Sequence, residues 1–129
     1  MRGHVLVVDD DDGVRRVLRR ALDDHDVLEA KDGVAALSLL GTVVDLDLIL
    51  CDVVMPNMGG VGFWSAVAAS YPALLDRIVF MTGGGVTPEE DGFLSAGIAE
   101  VIHKPFSFEE LRRFVAGRVR ARRGESLVP

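Results

Sequence analysis

The sequence predicts an α/β domain, a doubly wound (βα)5 unit with one parallel five-stranded sheet. Two observations lead there. Short apolar runs, Val5-Leu6-Val7-Val8, Leu48-Ile49-Leu50-Cys51, Ile78-Val79-Phe80-Met81 and Val101-Ile102-His103, recur between stretches with helical spacing, and strand and helix signals alternate five times. The runs are continuously apolar rather than alternating, the pattern of strands buried on both faces and joined by crossover helices. A length of 129 residues fits one domain with a core of its own.

Taken in order, strand 5–8 comes first, and Asp12 is the expected N-cap of a helix through about Leu22. Val14, Val17, Leu18, Ala21 and Leu22 form its apolar stripe. A short strand, Val27-Leu28-Glu29-Ala30, precedes a helix opened by Asp32-Gly33 and carrying Val34, Leu37 and Leu40. Strand 48–51 leads into a loop, Val53 to Gly60, punctuated by Pro56 and two glycines. A helix over roughly 61–70 stops before Pro72, because the residue preceding proline is driven out of helical conformation. Strand 78–81 runs into Gly83-Gly84-Gly85. Thr87-Pro88-Glu89-Glu90 and Ser107-Phe108-Glu109-Glu110 are capping-box patterns that open two more helices. The last, about 108–122, turns Leu111, Phe114, Val115 and Val119 inward and is rich in arginine toward its C-terminus, where the helix dipole favours cations. Gly124 to Pro129 reads as a tail.

Composition narrows the function. Against 14 basic residues stand 20 acidic ones, a net charge of −6, which argues against a nucleic-acid surface; the arginines of the last helix are better read as a solvated face. The single cysteine, Cys51, excludes an internal disulfide and fits a reducing cytoplasm, with the thiol acting as a small core hydrophobe. No apolar stretch reaches the roughly 20 residues that span a bilayer, so no membrane contact and a cytoplasmic location are expected. His4, His25 and His103 lack metal-ligand spacing and are expected at the surface or at strand ends. Gly83-Gly84-Gly85 is no phosphate-cradling Walker loop, since no Gly-Lys-Ser/Thr follows. Trp64 is expected to pack half-buried on its helix.

The chemistry sits at the strand ends. The first run ends in Asp9-Asp10, the third in Asp52, the fourth in Thr82 and the fifth in Lys104-Pro105. Parallel open sheets bind ligands outside the carboxyl ends of their strands, so these groups are expected to converge. Clustered carboxylates repel until a proton or a cation intervenes, and an oxygen-rich site of this kind suits Mg²⁺. A carboxylate can also be a nucleophile toward phosphorus. Phosphoryl transfer then asks mainly for alignment and charge neutralisation, which Mg²⁺, Lys104 and Thr82 would supply. Taken alone, Asp9 and Asp10 could equally be caps of the first helix.

Val7-Val8-Asp9-Asp10, Asp52-Val-Val-Met-Pro-Asn-Met-Gly-Gly at 52–60, Met81-Thr82-Gly83 and Lys104-Pro105-Phe106 together resemble the receiver domain of two-component response regulators, over about residues 4–121, leaving 122–129 as a C-terminal tail. The resemblance implies a flavodoxin-like sheet of strand order 2-1-3-4-5. It also implies that Asp52 is the phosphoacceptor, with Asp10 a direct Mg²⁺ ligand and Asp9 a ligand through water. The backbone carbonyl of Val54 would complete the metal's protein ligands. Thr82 and Lys104 would bond phosphoryl oxygens, and the Lys104–Pro105 bond would be cis. The implied donor is a histidine kinase or a histidine phosphotransfer protein. The implied response is a change in the face made by the fourth helix, fifth strand and fifth helix, through which a homodimer would also form. One departure stands out: where the family often carries a rotating Tyr or Phe, three residues before the lysine, this chain has Val101. The segment Met81-Thr-Gly-Gly-Gly with Pro88 and Phe93-Leu94 resembles receivers of hybrid histidine kinases, so a stand-alone regulator and a receiver segment of a membrane-anchored sensor kinase are both open. Two rivals fit less well. A haloacid-dehalogenase-type phosphatase would place its second Asp two residues after a first-strand nucleophile, and a flavin-binding flavodoxin would need a Ser/Thr-rich first loop where this one is acidic.

Overall fold

The computed structural model describes residues 2–42 and 45–124. Five parallel strands, β1 (His4–Val8), β2 (Asp26–Ala30), β3 (Leu48–Asp52), β4 (Ile78–Thr82) and β5 (Glu100–His103), form one sheet in the order β2-β1-β3-β4-β5. Helices α1 (Asp12–Ala21), α2 (Gly33–Leu40), α3 (Gly60–Ser70), α4 (Pro88–Ser95) and α5 (Phe108–Arg122) connect and follow them, with a 3-10 helix over Pro72–Arg77 that the sequence reading does not anticipate. Pro72 ends α3 as expected but, with its fixed backbone angle, also starts this tighter turn.

Side chains on a strand alternate between faces, and the core divides accordingly. Val5, Val7, Leu48, Leu50, Val79 and Met81 pack against Leu18, Ala21 and Leu22 of the α1 segment and Leu111, Val115 and Val119 of α5. Leu6, Val8, Ile49, Cys51, Ile78 and Phe80 face Ala36 and Leu40 of α2 and Phe63 and Val67 of α3. Cys51 is buried there, as the sequence implies. Trp64 is half-buried, its ring 6.1 Å from that of Phe80 and 5.7 Å from that of Phe93. Helix α4 buries no residue completely; Phe93 and Leu94 reach the core only in part.

Four local expectations need correction. Asp11, not Asp12, caps α1: it holds extended backbone angles and its carboxylate accepts from the Val14 N–H, while Asp12 lies in the first turn. Val17 is 45% exposed and Val34 50%, because the helices turn Leu18 and Ala21, and Ala36 and Leu40, to the core instead. His25 is buried, its Nδ1 accepting the Gly3 N–H at 3.0 Å; burial, more than its neighbouring charges, pulls its pKa below the ordinary value. The arginines ending α5 are not simply solvated. Arg122 and Arg123 pair with the buried carboxylate of Asp47, at 2.9 and 2.8 Å, and Arg118 pairs with Glu100. The capping boxes at Thr87 and Ser107 are both formed. Positions 125–129 of the expected tail lie outside the described residues. Among the described residues no helix is long and apolar enough to cross a membrane.

Candidate functional site

Sheet register places the chemistry at one edge. Val8 is opposite Cys51, Asp52 opposite Met81, and Thr82 opposite His103, so Asp9, Asp52, Thr82 and Lys104 emerge side by side. One carboxylate oxygen from each of Asp9, Asp10 and Asp52 lies within 4.8 Å of the others. Asp9 is buried, Asp52 half-buried and Asp10 exposed. Lys104 Nζ sits 3.5 Å from Asp9 Oδ2 and 3.9 Å from Asp52 Oδ2, and the Lys104–Pro105 bond is cis.

Backbone donors fix the other oxygens. Asp52 Oδ1 accepts the Val53 N–H at 2.8 Å, and Asp9 Oδ1 accepts the Asp11 N–H at 3.0 Å. That leaves Asp9 Oδ2 buried without a hydrogen-bond partner, aimed at the lysine and the other carboxylates. Three carboxylates against one ammonium leave two negative charges uncompensated. Burial first, and then the charge of Asp9, raise the Asp52 pKa above the ordinary carboxylate value, with Lys104 pulling the other way. An orphaned buried carboxylate oxygen in an all-oxygen cluster is the donor chemistry of a hard divalent cation, so these residues fit Mg²⁺.

Thr82, at the end of β4, is buried, and its hydroxyl accepts the Gly84 N–H at 3.3 Å. The Thr82 carbonyl accepts from the Lys104 N–H at 2.8 Å, tying the β4 and β5 ends together. Gly84 and Gly85 follow with φ of +104° and +73°, conformations that side chains resist. Val54 is 46% exposed, and no hydrogen bond to its carbonyl occurs among the described residues. Gly60 allows α3 to start against the site, since a Cβ there would meet the Asp52 carbonyl oxygen at 2.7 Å. The thiol of Cys51, beneath the site, is pushed far up by burial and then by the charge of Asp52, so it is inert. His103 is exposed, and Val101 is half-buried at the start of β5.

The sequence reading missed Arg15. Its guanidinium donates to the Asp9 carbonyl at 2.6 Å and to Glu29 at 3.2 Å and pairs with Asp12, holding the β1–α1 turn in place. Its spacing of three from Asp12 in the first helical turn is the signal that would have found it. Beside Lys104, an apolar groove of about 540 Å³ runs between α1 and the β5–α5 connection, lined by Val14, Val17, Leu18, Pro105, Phe106 and Phe108.

Comparison with known proteins agrees with this arrangement. The profile of the response regulator receiver domain matches residues 5–116. The chain is 34% identical over 122 residues to the transcriptional regulatory protein YrkP of Bacillus subtilis (strain 168), covering 93% of this chain and 51% of YrkP. It is 34% identical over 111 residues to a chemotaxis protein CheY homolog of Campylobacter jejuni, covering 84% of this chain and 85% of that protein. Among solved structures, the Vibrio cholerae chemotaxis protein CheY4 superposes with a TM-score of 0.76 at 30% identity, over 91% of this chain and 98% of that one. A CheY-like receiver domain protein from Methanospirillum hungatei, 20% identical, has the same fold with a TM-score of 0.81, over 98% of this chain and all of that one (100%). The chain spans between a third and a half of several relatives it matches: 51% of YrkP, 33% of a Myxococcus xanthus protein-glutamate methylesterase and 46% of a mycobacterial response regulator MprA. A profile match across most of its length, with the sheet order and the converging strand ends, establishes that this chain belongs to the response regulator receiver domain family of two-component systems.

Proposed function

We propose that this domain takes a phosphoryl group from the phosphohistidine of a kinase or phosphotransfer protein onto Asp52. The observation that carries the reading is the convergence of Asp9, Asp10 and Asp52 around a buried carboxylate oxygen that accepts no hydrogen bond, with Lys104 Nζ alongside. Asp9, Asp10, Asp52 and the Val54 carbonyl are the residues that would hold Mg²⁺, which when bound neutralises phosphoryl oxygens and the carboxylate cluster. Because Asp52 Oδ1 is engaged by the Val53 N–H, Oδ2 is the oxygen free to attack phosphorus. As the O–P bond forms, the P–N bond to the donor imidazole breaks, its electron pair stays on nitrogen, and an aspartyl phosphate results. Lys104 and the Thr82 hydroxyl then take up phosphoryl oxygens; for Thr82 this competes with the bond it now receives from Gly84.

The apolar groove beside Lys104 suits the donor's docking. It opens next to the ammonium and carries exposed Val17 and Phe108, matching an apolar helical face that would deliver a phosphohistidine to the strand ends. Modification would be read out on the face of α4, β5 and α5, which would also serve homodimerisation. The parent protein, on this reading, is a cytoplasmic regulator or the cytoplasmic receiver segment of a hybrid histidine kinase.

The direct test is incubation with acetyl phosphate and Mg²⁺, followed by intact-mass analysis. One acid-stable, base-labile phosphoryl group is expected on the wild type and none on Asp52→Asn. Labelling of Asp52→Asn at the wild-type rate would overturn the assignment.

A further inference from the structure

We infer that Asp32 and Asn57 form a strap that positions the loop after Asp52 for metal binding, making them positioning residues of the site; this rests on the proposed function. Asp32, the N-cap of α2 just past the carboxyl end of β2, is buried and makes no hydrogen bond or ion pair to the carboxylate cluster among the described residues. One of its oxygens caps α2 by accepting the Ala35 N–H at 2.8 Å. The other accepts from the Asn57 side-chain amide at 2.8 Å, across the sheet edge and into the loop 53–59 that carries the Val54 carbonyl. The cap bond and the Asn57 bond hold the Asp32 carboxyl below its ordinary pKa, so it stays ionised and makes both bonds charge-assisted.

Two further observations support a loop held by this link. Asn57 has φ +66°, and it is the one non-glycine residue in left-handed conformation among those described. Asn is among the few non-glycine residues that adopt this conformation readily, and the Asp32 carboxylate fixes the direction of its side chain. Next to it, the Gly33 N–H donates to the Met58 carbonyl at 3.0 Å, and a Cβ on Gly33 would strike Met58 Cγ at 2.6 Å, so the loop lies directly against the start of α2. The near end of the loop is closed by the Gly60 N–H donating to the Val53 carbonyl at 2.9 Å. Pinned at Val53 and again at Asn57–Met58, the segment between has little freedom, and it is the segment containing Val54.

The variants separate positioning from folding. Asn57→Gly keeps the left-handed backbone available while removing the amide, and Asp32→Ser keeps an oxygen to cap α2 while being too short to reach Asn57. Titration with Mg²⁺ alone, followed by Trp64 fluorescence and by calorimetry well below the melting temperature, should give dissociation constants raised about tenfold in each variant, the lower end of the range for residues that orient metal ligands. The double variant should be no weaker than the weaker single one, because both changes cut one link. Asn57→Gly, whose backbone fits, carries the test if Asp32→Ser proves unstable. Wild-type Mg²⁺ affinity in a folded Asn57→Gly would overturn the strap and leave the proposed function standing. If the wild type itself neither binds Mg²⁺ nor accepts phosphoryl, the proposed function fails and the strap with it.

Discussion

Asp52→Asn should make the metal-free domain more stable, although it removes the group on which the proposed chemistry depends. The substitution is nearly isosteric, and the amide oxygen can keep the 2.8 Å bond from the Val53 N–H. Repulsion between Asp52 and Asp9, whose oxygens lie within 4.8 Å, is at least about 3.5 kcal/mol at an effective dielectric of 20. Attraction to Lys104 at 3.9 Å is about 4.3 kcal/mol on the same basis. The two nearly cancel, so the balance is set by desolvation of a carboxylate whose side chain is only 16% exposed, together with repulsion from Asp10. A net gain of about 1–2 kcal/mol follows for the variant, or about 3–10 °C in melting temperature. The pH dependence has a definite sign. Because the folded-state pKa of Asp52 is raised, the folded protein favours the protonated carboxyl; the wild type suffers no penalty below the ordinary carboxylate value and acquires it as pH rises through the raised one. The gap between variant and wild type should therefore be full at pH 7 in EDTA and close by about pH 3. Saturating Mg²⁺ should reverse the order, since metal at a hundredfold its dissociation constant contributes about 2.7 kcal/mol to the protein that binds it. Thermal melts by circular dichroism at both pH values, with and without Mg²⁺, measure all of this. An Asp52→Asn protein that melts below wild type in EDTA, or a gap that persists unchanged at pH 3, would refute the reasoning.

Asp10→Ala should weaken Mg²⁺ binding more than Asp9→Ala in calorimetric titration, while Asp10→Asn in EDTA should be at least as stable as wild type. At the opposite end of the sheet, Asp47→Ala should destabilise by about 3–5 kcal/mol in urea unfolding, because it leaves two arginines and the His4 N–H without their buried partner. Burial raises the Asp47 pKa, but the Arg123 and His4 bonds outweigh it and the net shift is downward, so its stabilisation holds above the ordinary carboxylate value and is lost as pH falls through the lowered one. Beryllofluoride, a phosphoryl mimic, should move backbone amide signals most across residues 82–92 and much less at 100–103, and Val101→Tyr should leave labelling by acetyl phosphate nearly intact. Clustering of the shifts at Val101 would contradict that.

Much of the architecture is legible because buried parallel strands leave a strong signature. Each of the four apolar runs at 5–8, 48–51, 78–81 and 101–103 lies within an observed strand, and both capping boxes are realised because hydroxyl and glutamate three apart satisfy helix-end donors locally. The converging residues were visible for a related reason, since strand ends dictate where the next side chain emerges. What escaped notice depends on pairing across distance. Asp12 is the cap the sequence suggests, but Asp11 takes the role, because the turn geometry and not residue type places the capping carboxylate. Arg15 on the Asp9 carbonyl, Asn57 on Asp32, and Arg122 with Arg123 on Asp47 join residues 6 to 76 positions apart, and residue type alone makes each look like a solvated polar group. His25 lies immediately before β2, a strand end as expected, but it is buried, and its ring accepts a bond from Gly3.

The shallow seating of α4 has a consequence for how such a domain diversifies. Since that helix buries no side chain completely and packs on the core through Phe93 and Leu94, most of its outward positions can be exchanged without disturbing the core. Mutational drift there is nearly free of a folding penalty, whereas the same drift on α5, which inserts Leu111, Val115 and Val119 between the strands and α1, would be purged. A lineage can thus rewrite the outward surface of one helix while the residues converging at the strand ends stay fixed.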